Sequence, residues 1–165
     1  MSHQGNLGSV PSGLYTPEQR ARRDATIWTP IQGTLAPLQF AVFIVSLGLV
    51  LRYLLTGEGY EVATWSIVIK TGVLYLIMVT GAIWEKVVFG QYLLAPAFFW
   101  EDVFSFLVIA LHTAYLVALF SAALAPLVLM WIALAAYAAY VFNAAQFVLK
   151  LRAARLQSNA MEAAA

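Results

Sequence analysis

The sequence contains no cysteine and few charged residues. Of its 165 residues only 10% are charged, whereas 62% are hydrophobic. The lack of cysteine excludes disulfide bonds, thiolate catalysis and cysteine-ligated zinc or iron–sulfur sites. A soluble domain carries about a quarter charged residues, and a disordered chain is also rich in polar residues. The composition therefore indicates a small integral membrane protein.

Several function classes are excluded by what else is missing. The net charge is only +1, so nothing indicates the basic surface that nucleic-acid binding needs. The sequence has no glycine-rich phosphate loop, no HExxH metal motif and no serine nucleophile elbow. A bis-histidine haem site needs two histidines within the membrane, and the predicted spans contain only His112.

Charged residues divide the apolar sequence into four segments. From Val103 to Leu149 no residue is charged, and a helix of those 47 residues would be ~70 Å long, about twice the ~30 Å hydrocarbon core. The chain must therefore fold back, and residues 121–126 are the predicted turn. Because the bilayer core offers no partners for backbone groups, the spans must be helices. We predict an all-α, integral membrane four-helix bundle with spans at about 35–55, 62–84, 102–121 and 126–149.

The segments around these spans complete the predicted organisation. Residues 87–100 are too few to span as a helix, and with Tyr92 and Trp100 they resemble an interfacial or re-entrant segment between the second and third spans. The transmembrane domain covers residues 31–150, between a polar cytoplasmic N-terminal tail (1–30) and a cytoplasmic C-terminal tail (151–165). The positive-inside rule favours this N-in, C-in orientation. It places these basic residues in the cytoplasm: Arg20, Arg22, Arg23, Lys86, Lys150, Arg152 and Arg155.

Polar residues recur at helical spacing within the spans. Such stripes form either interhelical hydrogen bonds or the lining of a site for a cofactor or substrate. The stripes are Gln32, Gln39, Ser46 and Tyr53 in the first span; Glu101, Ser105, His112 and Tyr115 in the third; and Tyr137, Tyr140, Asn143, Gln146 and Lys150 in the fourth.

Two membrane residues stand out as functional candidates. Lys70 lies far from both interfaces, so it should face the interior, either in a functional role or in a structural ion pair. His112 is either a ligand or proton-transfer group, or a hydrogen-bonded bundle residue. The carboxyl groups of Glu85, Glu101 and Asp102 fall at one membrane level, which indicates a site at the cytoplasmic mouth or ordinary interfacial charge.

Four stretches resemble the 3-vinyl bacteriochlorophyllide hydratase family, called 2-vinyl under older ring numbering. They are YTPEQRARRDATIW (15–28), QGTLAPLQFAVFIVSLGLVLRYL (32–54), TGAIWEKVVFGQYLLAPAFFWEDVFS (80–105) and ALHTAYL (110–116). The similarity extends over about residues 15–155. The long run that begins at Ile83 and ends at Asp102 is compositionally unusual and therefore specific.

The resemblance implies a lyase of bacteriochlorophyll biosynthesis in the inner, intracytoplasmic photosynthetic membrane. Such an enzyme adds water to the C3 vinyl group of chlorophyllide a or 3-vinyl bacteriochlorophyllide a and gives a 1-hydroxyethyl product. The implied partners are this tetrapyrrole, water and membrane lipid, and contact with other enzymes of the pathway is left open. No cofactor is implied, because the magnesium belongs to the substrate.

Position and chemistry then give hypotheses for the site. Hydration needs an acid that keeps its proton near neutral pH and a group that orients water. We assign this acid/base pair to Glu101 and Glu85, with Asp102 as the substitute.

Five further residues are assigned to substrate binding. His112 is a candidate axial ligand to the substrate magnesium, and Lys86, or else Lys70, pairs with the substrate propionate. Ser105 and Tyr115 share the face of His112 and are assigned to the same site.

Two other functions remain as alternatives. The first is a non-catalytic pigment-binding or assembly protein that uses His112 and the aromatic segment. The second is a small proton or ion transporter with Lys70, His112 and Glu101 as a relay.

Overall fold

The computed structural model describes residues 13–163 and contains five α-helices. Every regular element within those residues is helical, which confirms the all-α class. Four of the helices, the last over residues 126–156, are long and apolar enough to cross a membrane, as predicted. The helices are α1 (Pro17–Ala25), α2 (Trp28–Thr56), α3 (Tyr60–Phe89), α4 (Phe99–Phe120) and α5 (Pro126–Ala163).

The helices extend beyond the predicted spans into both predicted tails. α1 lies within residues 1–30, and a reciprocal capping box between Thr16 and Gln19 stabilises its N-terminus. α2 begins at Trp28 rather than near residue 35, since Pro30 lies in its first turn, where a missing N–H is tolerated. α5 continues past residue 149 to Ala163. Residues 1–12 and 164–165 of the predicted tails lie outside the described residues.

The connections between helices follow local sequence signals. α2 ends at Gly57 and α3 ends at Gly90, and both glycines have a positive φ (75° and 88°) that other residues rarely adopt. α4 ends at Phe120 and α5 begins with Pro126, which confirms the predicted turn. Residues 90–98 form a non-helical loop between α3 and α4. Its re-entrant placement in a membrane stays a prediction.

The spans pack as two helical hairpins. α2 lies along α3 and α4 lies along α5, while contacts of α3 with α4 and of α2 with α5 close the bundle and α1 packs against α3. The core contains Phe43, Ile67 and Tyr137. Large apolar side chains such as Trp65 and Trp131 are exposed on the outside. Because the helices are apolar on their outer faces as well as in the core, the bundle suits a lipid environment.

Candidate active site

Glu85 on α3 and Asp102 on α4 form a buried carboxyl pair. Their residues are only 5% and 3% exposed. The two carboxyl groups lie within hydrogen-bonding reach of each other, and a bond between them requires a proton on one of them. The pair lies where α1 packs against α3, and we call this the α1 end of the bundle. This carboxyl pair can hold a proton inside an apolar structure.

The loop between α3 and α4 fixes the carboxyl pair through its backbone. The N–H of Leu94 donates to Asp102 Oδ2 over 2.7 Å, and the N–H of Ala95 donates to Glu85 Oε2 over 3.3 Å. Leu94 has a φ of 59°, which costs a non-glycine residue about 1–2 kcal/mol. Two successive backbone donors thus orient both carboxyl groups, at the expense of local strain.

Glu101 has a different partner from the one predicted. Its Oε2 lies 2.6 Å from Nζ of Lys150 on α5, and the Glu101 side chain is only 8% exposed. Successive residues of a helix point about 100° apart, so Asp102 faces α3 while Glu101 faces α5. The structure therefore pairs Glu85 with Asp102 rather than with Glu101. Which of the three carboxyl groups is catalytic stays a prediction.

An aromatic cluster occupies the α1 end. The ring of Phe98 lies 5.8–5.9 Å from the rings of Trp84, Phe89 and Phe147, and the ring of Tyr15 stacks on Phe89 at 5.8 Å. Edge-to-face and offset pairs at this distance are favourable beyond their buried area. The cluster packs the start of the described chain onto α3, next to the carboxyl pair.

Two polar contacts attach α1 to the same end. Trp84 Nε1 donates to the Thr29 hydroxyl over 3.0 Å, and that hydroxyl donates to the Arg23 carbonyl over 2.6 Å. The Arg23 guanidinium lies 4.8 Å from the centre of the Tyr15 ring. Burial raises the pKa of the Tyr15 hydroxyl, and the positive charge of Arg23 partly opposes this rise. Tyr15 is therefore a neutral packing residue at neutral pH.

Lys70 and His112 form a second buried pair in the middle of the bundle. Lys70 Nζ lies 2.9 Å from His112 Nε2, and both residues are fully buried. His112 Nδ1 donates to the Val108 carbonyl over 2.8 Å, so Nε2 accepts the hydrogen bond and Lys70 donates it. The prediction that Lys70 faces the interior is confirmed, but its hydrogen bond to a neutral imidazole is not the structural ion pair that the sequence left open. Its partner is a histidine.

Aromatic rings complete the surroundings of Lys70. Its Nζ lies 4.1 Å from the ring centre of Tyr140 and 5.2 Å from that of Tyr137. A cation over a ring face is attracted by the ring quadrupole. None of the carboxyl groups between residues 13 and 156 lies within ion-pair distance of Lys70. The rings and the imidazole are thus the groups that stabilise the ammonium group.

This geometry bears on the hypothesis that His112 ligates the substrate magnesium. Both ring nitrogens are occupied, Nε2 by Lys70 and Nδ1 by Val108. Axial ligation would require one of these bonds to break inside a fully buried site. Ser105 and Tyr115, assigned to the same site, are also buried, and Ser105 accepts a bond of 2.8 Å from Asn143 on α5. These substrate-binding roles remain predictions that need the bundle to open.

The polar stripes largely form interhelical hydrogen bonds. Gln32 Nε2 donates to Thr80 over 2.6 Å, and the Ser46 hydroxyl lies 2.7 Å from the Ser66 hydroxyl and 2.5 Å from that of Tyr137. This confirms the structural interpretation for Gln32 and Ser46. Gln39, in the same stripe, has no hydrogen-bond partner among the described residues.

Lys86 is exposed at the α1 end, beside Glu85. Its Nζ donates to the Gly90 carbonyl over 2.8 Å and lies 5.3 Å from the ring centre of Tyr92. It is therefore accessible to a carboxylate, unlike Lys70. Across residues 13–156, no three histidine, aspartate or glutamate side chains converge to hold a metal ion.

Some features of the site have no signal in the sequence. The donor role of the backbone N–H groups of Leu94 and Ala95 cannot be predicted from the sequence, because nearly every residue type carries such a group. The contact between Trp84 and Thr29 joins residues far apart in the chain. The bond between Ser105 and Asn143 had a usable signal, because both residues belong to polar stripes of predicted neighbouring helices.

Residues 15–153 match the family model described as 2-vinyl bacteriochlorophyllide hydratase. This match covers most of the chain and includes both buried pairs. The chain belongs to the 2-vinyl bacteriochlorophyllide hydratase family. The resemblance inferred from the run around Glu85 and Asp102 is thereby confirmed.

Two curated members of this hydratase family are similar over nearly their whole length. A protein named 2-vinyl bacteriochlorophyllide hydratase from Cereibacter sphaeroides is 74% identical over 149 residues, which are 90% of this chain and 92% of the relative. One of the same name from Rhodobacter capsulatus is 71% identical over 150 residues, 91% of this chain and 87% of the relative. No solved structure matches significantly.

Proposed function

We propose that this protein hydrates the C3 vinyl group of chlorophyllide a or 3-vinyl bacteriochlorophyllide a. The product carries a 1-hydroxyethyl group, and the enzyme is a hydro-lyase of bacteriochlorophyll biosynthesis. The observation that supports this most is 74% identity to a protein named as this hydratase, over a region that contains the carboxyl pair. The proposal includes no cofactor, since the magnesium is part of the substrate.

The carboxyl pair suits an acid-catalysed hydration. Its protonated member gives a proton to the terminal vinyl carbon, and the conjugated ring stabilises the resulting cation. Water then attacks the carbon next to the ring, and the proton it loses returns to the ionised member of the pair. One water is consumed and the pair ends with the single proton that it had at the start. General acid–base catalysis of this kind contributes about 10²–10⁴-fold in rate.

The three carboxyl groups receive different roles. Glu85 and Asp102 are the acid/base pair, because their carboxyl groups lie within hydrogen-bonding reach of each other and are oriented by backbone donors. Glu101 was one member of the acid/base pair inferred from the sequence, but its bond to Lys150 ties it to α5. We therefore propose that Glu101 positions the start of α4 and that its neutral variant retains activity.

The surface beside the carboxyl pair suits a flat apolar macrocycle. Tyr92, Phe99 and Trp100 are 61%, 41% and 63% exposed, and they lie in the loop and the first turn of α4 that carry the pair. The exposed Lys86 would meet the propionate at the interface, where the carboxylate stays hydrated. Lys70 is the less suitable partner, because a carboxylate would have to enter the closed core.

The membrane placement is part of the proposal. We place the protein in the bacterial inner, photosynthetic membrane with both termini in the cytoplasm. Basic residues gather at the α1 end, while the opposite end has Arg52 beside Glu58. This distribution agrees with the positive-inside rule.

The direct test is expression of the chain in a host without bacteriochlorophyll synthesis. Membranes are incubated with chlorophyllide a, the pigments are separated by HPLC, and their masses are determined by mass spectrometry. We expect a product one water heavier than the substrate, absent from membranes of the empty host. A protein that only binds pigment would retain chlorophyllide without converting it, and this result would contradict the proposal.

A further inference from the structure

Several buried polar atoms in the bundle have no hydrogen-bond partner among the described residues. They include both amide atoms of Gln39, Oδ1 of Asn143 and Oε1 of Gln146. Gln39 is only 2% exposed and Asn143 only 8%. An unpaired buried polar group is unfavourable, because it has lost its hydrogen bonds to water. Proteins satisfy nearly all such groups, and they use ordered water where no protein atom serves.

The helix register brings Gln39 and Asn143 to one level of the bundle. The ring of Phe43 on α2 lies 4.9 Å from that of Tyr140 on α5, and Ser46 contacts Tyr137. Residue numbers rise along α2 as they fall along α5, so the two helices are antiparallel. One further turn toward the α1 end therefore places Gln39 at the level of Asn143.

The unpaired atoms belong to a continuous polar seam. On α5 the seam consists of Tyr140, Asn143, Gln146 and Lys150, whose spacings of three to four residues keep them on one side. Its two ends are already paired, Lys150 with Glu101 and the ring of Tyr140 with Lys70. The unpaired atoms thus lie between the ion pair at the α1 end and the Lys70–His112 pair in the middle.

The hydrogen bonds that the unpaired atoms still need indicate which ligand fits the seam. The amide nitrogen of Gln39 needs an acceptor, while Asn143 Oδ1, Gln146 Oε1 and Gln39 Oε1 need donors. An anion would meet three carbonyl oxygens, and a cation would meet the ammonium group of Lys70. Water both donates and accepts hydrogen bonds and carries no charge, so it meets all of these needs.

We propose that the polar seam binds ordered water molecules that connect the Lys70–His112 pair to the α1 end. These waters bond to Gln39, Asn143 and Gln146 and form a path for protons between the two ends of the seam. Under the proposed function these waters also supply the molecule that is added to the vinyl group. The inference itself needs no substrate, so its test and that of the hydration reaction fail independently.

Radiolytic footprinting tests the proposal on the full chain in lipid nanodiscs. X-rays make hydroxyl radicals from water, so a buried side chain is oxidised where a water molecule lies against it. The reporter is Tyr140, which is 8% exposed, and the reference is Met130, which is fully buried and intrinsically reactive. Mass spectrometry of the peptides should show faster oxidation of Tyr140 than of Met130. Equal rates in the unmodified protein overturn the proposal.

A variant tests the part played by the unpaired amide. Gln39→Leu removes both polar atoms, and we expect Tyr140 oxidation to fall at least about threefold because the adjacent water loses its partners. The matched control is Phe40→Leu, at a neighbouring position that is 52% exposed on the outer surface, and it should leave the rate unchanged. Circular dichroism verifies that both variants keep their helices. An unchanged rate in a helical Gln39→Leu variant overturns the proposal as well.

Discussion

The two buried pairs of this bundle are held by different parts of the molecule. Glu85 and Asp102 are oriented by backbone donors of a loop at the α1 end. Lys70 and His112 are held by side chains and one helical carbonyl, inside the packed middle of the bundle. Both pairs avoid leaving an ionisable group unpaired in apolar surroundings, which would cost several kcal/mol.

The two pairs therefore differ in how readily a substrate can reach them. A loop can shift to admit a substrate, and exposed aromatic side chains lie beside this one. A close-packed core resists such movement, because even small changes in volume are costly there. We therefore assign proton transfer to the substrate to the loop-held pair, whereas the core pair has no direct contact with substrate.

The largest effect is expected from Asp102→Asn. The amide keeps the shape and can still accept the bond from Leu94, but it cannot carry the acidic proton of the pair. We expect hydration of chlorophyllide to fall at least about 100-fold, within the range for loss of general acid–base catalysis. The assay is HPLC of the pigments formed per amount of protein in the membrane.

The matched control is Glu101→Gln on the neighbouring residue. It weakens the bond to Lys150 but leaves the carboxyl pair intact, so hydration should stay within about tenfold of the unmodified protein. Equal loss in both variants would remove the distinction between the two carboxyl groups.

A smaller effect, on stability, is expected from Lys70→Met. The substitution leaves His112 Nε2 buried without a donor, so the free energy of unfolding should fall by about 1–3 kcal/mol. Adding His112→Phe removes the orphaned acceptor and should restore part of this loss. Thermal unfolding in detergent gives the double-mutant cycle. Additive effects of the two substitutions would show that the pair is not coupled.

We expect Trp84→Phe to lower the free energy of unfolding by about 1 kcal/mol, because it removes the hydrogen bond to Thr29 and weakens the attachment of α1. Limited proteolysis near Arg23 and thermal unfolding report this change. Trp65→Phe is the control, because Trp65 is 67% exposed on the outer surface and should show neither effect. Similar shifts in both variants would mean that ring size, not the hydrogen bond, matters.

The smallest effect is expected from Leu94→Gly. Glycine relieves the positive φ but adds freedom to the unfolded chain, so the net gain in stability should be below about 1 kcal/mol. The N–H to Asp102 remains, and hydration should be retained. A large loss of activity would show that the Leu94 side chain, rather than its backbone, serves the site.

The sequence predicts the fold because the membrane makes helices obligatory and charges mark their ends. It also predicts that Lys70 faces the interior, because ionisable residues in spans do so, and it puts Glu85 and Asp102 at one membrane level. It does not predict which groups meet. A rotation of about 100° separates Glu101 from Asp102 on α4, and only the packing of α4 between α3 and α5 decides which one reaches Glu85.

The role assigned to the Glu85–Asp102 pair is the addition of water to a vinyl group. It is tested most directly by incubating membranes with chlorophyllide a in ¹⁸O-labelled water, for the unmodified protein and for Asp102→Asn. We expect a labelled product one water heavier from the unmodified protein and at most a trace from the variant. Labelled product at the same rate from both would contradict it.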